Sequence, residues 1–135
     1  MIFDSNVVIE LVETGSQGAF ADNLAEIRHG HELYTNAVIF AELSSGFSQT
    51  SDVLALFEDL RASFVPFRPE EAFRAGTAFA EYRKRGGSRM TILPDFLIGA
   101  QAVTQGWPIV TRDRKGFASY FPNVELIDPY KAQND

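Results

Sequence analysis

Short apolar runs alternate with longer amphipathic stretches along the whole chain, the pattern of a parallel sheet whose strands are joined by helices. Met1-Ile2-Phe3 predicts the first strand. Helical material follows, broken near Gly15 and Gly18 and resumed over 20–28. Leu33-Tyr34-Thr35 predicts a second strand. Helices are expected over 37–47, with Val38, Phe40 and Ala41 on the apolar side, and over 53–62. Phe64-Val65-Pro66-Phe67 predicts a third strand, assigned to a sheet edge because proline cannot donate to a ladder.

The strongest helix signal begins at Pro69. Proline suits the first helical position, Glu70 and Glu71 suit the positive end of the helix dipole, and Arg83 to Arg85 suit the negative end before Gly86 stops it. Its expected inner face is Ala72, Phe73, Gly76, Phe79 and Ala80. Pro94-Asp95 opens another helix, with Phe96, Leu97, Ala100 and Val103 inward and Gly106 at its end. Strands at 108–111 and 124–127 enclose a loop and short helix at 113–120, and residues 131–135 are expected to fray.

Composition narrows the function. At 135 residues the chain is long enough for one core and too short for two, so 1–135 reads as a single domain. The absence of cysteine excludes disulfides, thiolate metal sites and a cysteine nucleophile. No apolar run reaches the roughly 18 residues of a membrane helix, and no secretory signal is visible. A cytoplasmic location fits. The formal charge of −6 argues against non-specific binding to duplex DNA. Positive charge is local, gathered in Arg83, Lys84, Arg85 and Arg89.

Candidate chemistry lies in four acids at the boundaries between apolar runs and turns: Asp4, Glu42, Asp95 and Asp113. Open α/β sheets bind ligands beyond the carboxyl ends of their strands. Four carboxylates meeting there would form an all-oxygen site suited to magnesium or manganese. Ser5, Asn6 and Thr111 could orient them as neighbouring polar groups. Each acid also has a purely structural role open to it. Asp4 and Asp113 can cap the helices that follow, and Asp95 can serve a helix dipole. Glu42 can sit on an outer face. His29 and His31 suit a solvated helix end better than a metal pair. A haloacid-type phosphatase also starts with an aspartate after its first strand, but needs a second one where this chain has Asn6.

Four segments together resemble the signature blocks of PIN-domain ribonucleases. They are Met1-Ile2-Phe3-Asp4-Ser5-Asn6-Val7, Phe40-Ala41-Glu42-Leu43, Pro94-Asp95-Phe96-Leu97-Ile98-Gly99-Ala100 and Ile109-Val110-Thr111-Arg112-Asp113. Size and layout resemble the VapC toxins of VapBC toxin–antitoxin modules. The resemblance implies a three-layer PIN-like α/β fold with a five-stranded, mainly parallel sheet flanked by helices. It implies that Asp4, Glu42, Asp95 and Asp113 hold magnesium or manganese, with Asp4 and Asp95 as the most characteristic ligands, and that Ser5, Asn6 and Thr111 support them. The implied activity is metal-dependent hydrolysis of RNA, such as tRNA or another structured RNA, leaving 5′-phosphate and 3′-hydroxyl ends. The implied partners are a cognate VapB-type antitoxin and a second copy of the chain. Under this reading Arg83, Lys84, Arg85, Arg89, Arg112 and Arg114 are candidate RNA contacts. A non-catalytic PIN-like interaction domain and a small phosphatase are the alternatives.

Overall fold

The computed structural model describes residues 1–130, so the expected fraying of 131–135 lies outside the described residues. Five strands are seen there: β1 (Ile2–Phe3), β2 (Leu33–Thr35), β3 (Ala62–Phe64), β4 (Ile109–Val110) and β5 (Leu126–Ile127). Seven helices connect them: α1 (Ser5–Thr14), α2 (Ala19–Ile27), α3 (Ala37–Ser44), α4 (Thr50–Asp59), α5 (Pro69–Lys84), α6 (Pro94–Gln105) and α7 (Arg114–Ala118). The sheet runs β3-β2-β1-β4-β5 and every pairing is parallel. No described helix is long and apolar enough to cross a membrane.

The central strands are short and wholly apolar because helices cover both of their faces. Ile2, Phe3, Ile109 and Val110 are all buried. Phe3 pairs with Val110 and Ile2 with both Tyr34 and Ile109, so β1 sits between β2 and β4. The largest core contains these strands with Val7 and Val8 of α1, Leu24 and Ile27 of α2, Ile39 and Leu43 of α3, and Ile98 and Ala102 of α6.

Helix α6 is buried on two sides. Ile98 and Ala102 join the sheet core, while Phe96 and Ala100 join a second cluster with Ala75, Ala78 and Phe121. The helix is thus the middle layer between the sheet core and α5. Gly99 permits this: a Cβ there would collide with the ring of buried Phe121. Gly99→Ala is expected to lose about 1–3 kcal/mol by overpacking, read from the midpoint of denaturant unfolding.

Several expected boundaries and faces shift. The third strand lies at Ala62–Phe64, so Pro66 falls in the connection after it. It is an edge strand, as expected. Helix α4 starts at Thr50 and ends at Asp59, and α3 stops at Ser44. In α3 the buried residues are Ile39 and Leu43, while Ala41 is exposed. Helix α5 begins and ends where proline and glycine predict, but its buried residues are Glu71, Ala75 and Ala78. Phe73 is 80% exposed, and Ala72, Gly76 and Ala80 also face solvent. The alanines let α5 approach α6 closely. Glu71 tolerates burial because Arg68 N donates to its Oε1 at 2.8 Å and Gln105 Nε2 to its Oε2 at 3.1 Å.

Candidate active site

The strand order reverses direction between β1 and β4, the switch point where an open parallel sheet leaves a crevice at its carboxyl edge. Asp4 follows β1 and Thr111 follows β4, and the two meet across this crevice. Thr111 Oγ1 donates to Asp4 Oδ2 at 2.8 Å. Ser5 N donates to Asp4 Oδ1 at 2.8 Å, so the same carboxylate also caps α1. Capping and site-building, which compete as readings of the sequence, are therefore compatible at Asp4.

Asn6 completes this corner. Its Nδ2 donates to Asp4 Oδ2 at 3.3 Å and lies 3.5 Å from Thr111 Oγ1, while its Oδ1 accepts from Arg112 N at 3.2 Å. Thr111 Oγ1 also accepts from Asp113 N at 3.0 Å. One hydroxyl thus ties Asp4 to the backbone that carries Asp113. Asp113 caps α7, accepting from Gly116 N at 3.3 Å through Oδ1.

Asp95 stands in the first turn of α6 and Glu42 near the end of α3. Their electrostatics tie them to the same crevice. Burial, followed by the charges of Asp4, Asp113 and Glu42, pushes Asp95 up to about 6. Burial is also the first cause that raises Asp4, with the charge of Asp113 adding to it and hydrogen bonds from Thr111 and Ser5 opposing it. Glu42 is exposed as a residue, yet desolvation of its carboxyl raises its pKa. A Ser5 hydrogen bond opposes that rise and the charge of Asp4 reinforces it. Like charges within mutual reach raise one another in this way.

The four acids share one field without forming a closed cage. Among the described residues, no three acidic or histidine side chains are already placed to grip one metal ion. The donor set still fits a hard divalent cation. It is all oxygen, it offers carboxylates from four separate elements, and its mutual repulsion is what such an ion relieves.

The supporting frame includes two residues that carry no signal of chemistry in the sequence. Asn36, fully buried after β2, caps α3 by accepting from Ile39 N at 3.0 Å. Its Nδ2 donates to Gln101 Oε1 at 2.8 Å, and Gln101 Nε2 donates onward to Val65 O at 3.1 Å. This buried pair locks the helix carrying Glu42 to the helix carrying Asp95. An asparagine directly before a helical run signals the cap. Nothing local signals a partner 65 residues away.

The basic candidates separate by environment. Arg83 folds the following turn back on itself, donating to Gly87 O and Arg89 O at 3.3 and 2.9 Å. Arg85 pairs with Glu81 at 3.1 Å and donates to Ser119 O at 3.2 Å. Arg112 lies 3.4 Å from Glu10, and Arg114 lies 3.9 Å from Asp128. Lys84 and Arg89 are exposed, with no ion pair among the described residues. His29 and His31 are exposed beyond the end of α2, apart from the acids in the fold.

Comparison with known proteins agrees with this architecture. A chain of the VapBC-1 complex from nontypeable Haemophilus influenzae superposes with a TM-score of 0.72 at 20% identity, covering 97% of this chain and 100% of that one. A chain of VapBC2 from Rickettsia felis, bound to a DNA fragment from its promoter, gives 0.70 at 19% identity, with coverage of 93% and 97%. A chain of FitAcB from Neisseria gonorrhoeae gives 0.61 at 21%, with coverage of 96% and 97%. Among curated proteins no sequence matches significantly. The PIN domain model matches residues 1–120. The chain, with its all-parallel five-stranded sheet and its acids at the switch point, belongs to the PIN domain family.

Proposed function

We propose that this chain is a metal-dependent endoribonuclease that acts as the toxin of a toxin–antitoxin pair. The observation that carries this reading is the meeting of Asp4 with Thr111, Asn6 and the Asp113 backbone at the switch point of the sheet, with burial raising Asp4, Glu42 and Asp95 beside it.

In this reading Asp4 and Asp95 hold a magnesium or manganese ion, with Glu42 and Asp113 completing its surroundings directly or through water. When bound, the ion supplies Lewis-acid stabilisation of charge on the scissile phosphodiester. The chain's own residues do the rest. Thr111 and Asn6 both donate to Oδ2 of the Asp4 carboxylate and contact each other, which fixes its orientation. Asp113 uses Oδ1 on Gly116 N, which leaves its other oxygen to accept a hydrogen bond from the attacking water. Hydrolysis in this arrangement needs no covalent enzyme intermediate, and leaves a 5′-phosphate and a 3′-hydroxyl.

The toxin role rests on the folds of chains in VapBC and FitAcB assemblies. That likeness supports a cognate antitoxin of the VapB type as partner, and the resemblance of the sequence blocks adds a second copy of the chain, a cytoplasmic place of action and structured RNA such as tRNA as substrate.

Melting of the metal-free protein and cleavage of cellular RNA test the reading together. A ligand held only by the folded state, at a hundred times its Kd, stabilises by about 2.7 kcal/mol, a rise of roughly 8–12 °C for a chain of this size. Manganese should produce such a rise in the parent and a much smaller one in Asp4→Asn. RNA cleavage should stop in EDTA and return with manganese. Hydrolysis of small phosphomonoesters with RNA left intact would replace the nuclease by a phosphatase. An equal melting shift in parent and variant would put the metal elsewhere.

A further inference from the structure

A groove of about 470 Å³ runs between α5, the side of α6 and the segment that follows α7. Its floor is apolar, built from Ala78, Val103 and Phe121. Its rim carries Arg74, Lys84 and Arg85 against the single carboxylate of Glu81. Glu81 is already paired with Arg85 at 3.1 Å. Arg74 and Lys84 have no ion pair or side-chain hydrogen bond among the described residues. In a chain with a net charge of −6, this local excess of positive charge runs against the average.

The groove and the site are joined by packing rather than by shared lining residues. Arg85 Nη1 donates to Ser119 O, and its guanidinium lies 4.9 Å from the centre of the Tyr120 ring. Tyr120 packs edge-on against Phe96 at 5.3 Å, and Phe96 is the residue after Asp95. At the other end of α7 stands Asp113. Five helical residues span about 7.5 Å, so Asp113 and the Ser119 edge of the groove stand at the two ends of one short helix.

We propose that this groove binds a single-stranded segment of the RNA substrate, with Arg74 and Lys84 on its phosphates and the apolar floor and Tyr120 against its bases. The inference rests on the nuclease reading for the identity of the polymer. Charge decides the occupant. Two unpaired cations beside an aromatic and apolar floor match the general design of single-strand binding sites, in which cations track the backbone and flat apolar surfaces take the bases. Arg85, held by Glu81, Ser119 and Tyr120, fixes the wall between them. The device is distinct from the acids: it sets where the substrate lies and takes no part in the chemistry.

The test is anisotropy of a fluorescein-labelled single-stranded RNA oligonucleotide in EDTA, where binding is read without cleavage. Arg74→Gln/Lys84→Gln should raise Kd about tenfold. It should also flatten the slope of log K against log salt by about 1.4, the value for two lost phosphate contacts on a single strand. Arg61→Gln, before β3 at the opposite end of the strands, controls for loss of a positive charge outside the groove and should leave both readings near the parent's. Arg74→Lys/Lys84→Arg should restore them. In manganese the double neutralisation should raise KM with much less effect on kcat, while Asp95→Asn should lose kcat and keep its Kd. An unchanged Kd and salt slope in the double variant overturns the groove, and leaves the nuclease reading standing if the parent cleaves. Groove-dependent binding in a parent that cleaves no RNA supports the groove and overturns the nuclease reading. Tighter binding of a labelled poly-glutamate peptide than of RNA, lost in the same double variant, overturns the RNA assignment in favour of an acidic protein segment.

Discussion

Asp4→Asn and Asp95→Asn are each expected to slow RNA cleavage by about a thousandfold or more, the scale on which loss of a key electrostatic contact acts, while both proteins stay folded. The two variants reach this result from different positions. Asp4 is buried and hydrogen-bonded on both oxygens, so Asn keeps its shape but loses the charge and one acceptor. Thr111 and Asn6 lose their anionic partner, which costs about 1 kcal/mol in weakened hydrogen bonds, against the relief of the burial and repulsion that raise Asp4. Asp95 gains no relief from hydrogen bonding and is surrounded by the charges of three other acids. Its neutralisation therefore removes repulsion as well as a ligand. Single-turnover cleavage of labelled RNA, with circular dichroism as the check on folding, separates chemistry from stability. Cleavage at the parental rate in both variants would end the active-site assignment.

The second expectation concerns pH, and its sign is opposite to that of an ordinary salt-bridged carboxylate. Asp95 has a folded-state pKa of about 6 against an ordinary 3.8. The folded protein therefore holds this proton more tightly than the unfolded chain. The resulting stabilisation is fully present below the unfolded value and is lost as pH rises through about 6. Metal-free protein should lose about 1–3 kcal/mol from this group between pH 4 and 7, with the lower end favoured by its partial exposure. Asp4 and Glu42, also raised, act in the same direction. Asp95→Asn should flatten the profile and melt above the metal-free parent at pH 7.5. Manganese should have the same effect on the parent, because a cation replaces the proton as the partner of the acids. Its affinity should weaken below pH 6, where it must displace that proton. Denaturant midpoints across pH 4 to 8, with and without metal, measure all of this. A parent whose metal-free stability rises steadily over that range would show that the acids do not repel one another.

These two expectations describe a site stabilised less than its surroundings. Burial and neighbouring like charges raise Asp4, Glu42 and Asp95 and so cost the metal-free fold stability at neutral pH, while the frame around them holds its shape. Thr111 ties Asp4 to the Asp113 backbone, and Asn36 with Gln101 ties α3 to α6. The Asn36–Gln101 tie consists of neutral side chains, which hold their geometry whether the acids are protonated or not, while the Thr111 tie favours the ionised form of Asp4.

Much of the fold could be read from local pattern. Strand and helix order follows from apolar runs, from Pro69 and Pro94 at helix starts, and from Gly86 and Gly106 beyond helix ends. These signals are local because backbone stereochemistry acts on single residues and their neighbours. The inner face of α5 could not be read this way. Phe73 is more hydrophobic than Ala75 or Ala78, but it lies on the outer face of the helix while the two alanines are buried, and Glu71 is accepted in the buried set because specific donors await it. The third strand moved for a related reason: its pairing with β2 puts Ala62 opposite Leu33 and leaves Pro66 beyond the ladder.

The candidate site divides along the same line. Sequence by itself determined which acids are available, and that each stands at the edge of an element, because residue identity and local periodicity carry that information. Only the tertiary structure decided that β1 lies beside β4, which brings Thr111 to Asp4 across 107 positions of chain. Strand order is set by which apolar faces pack best together, a property of the whole chain that no single segment encodes.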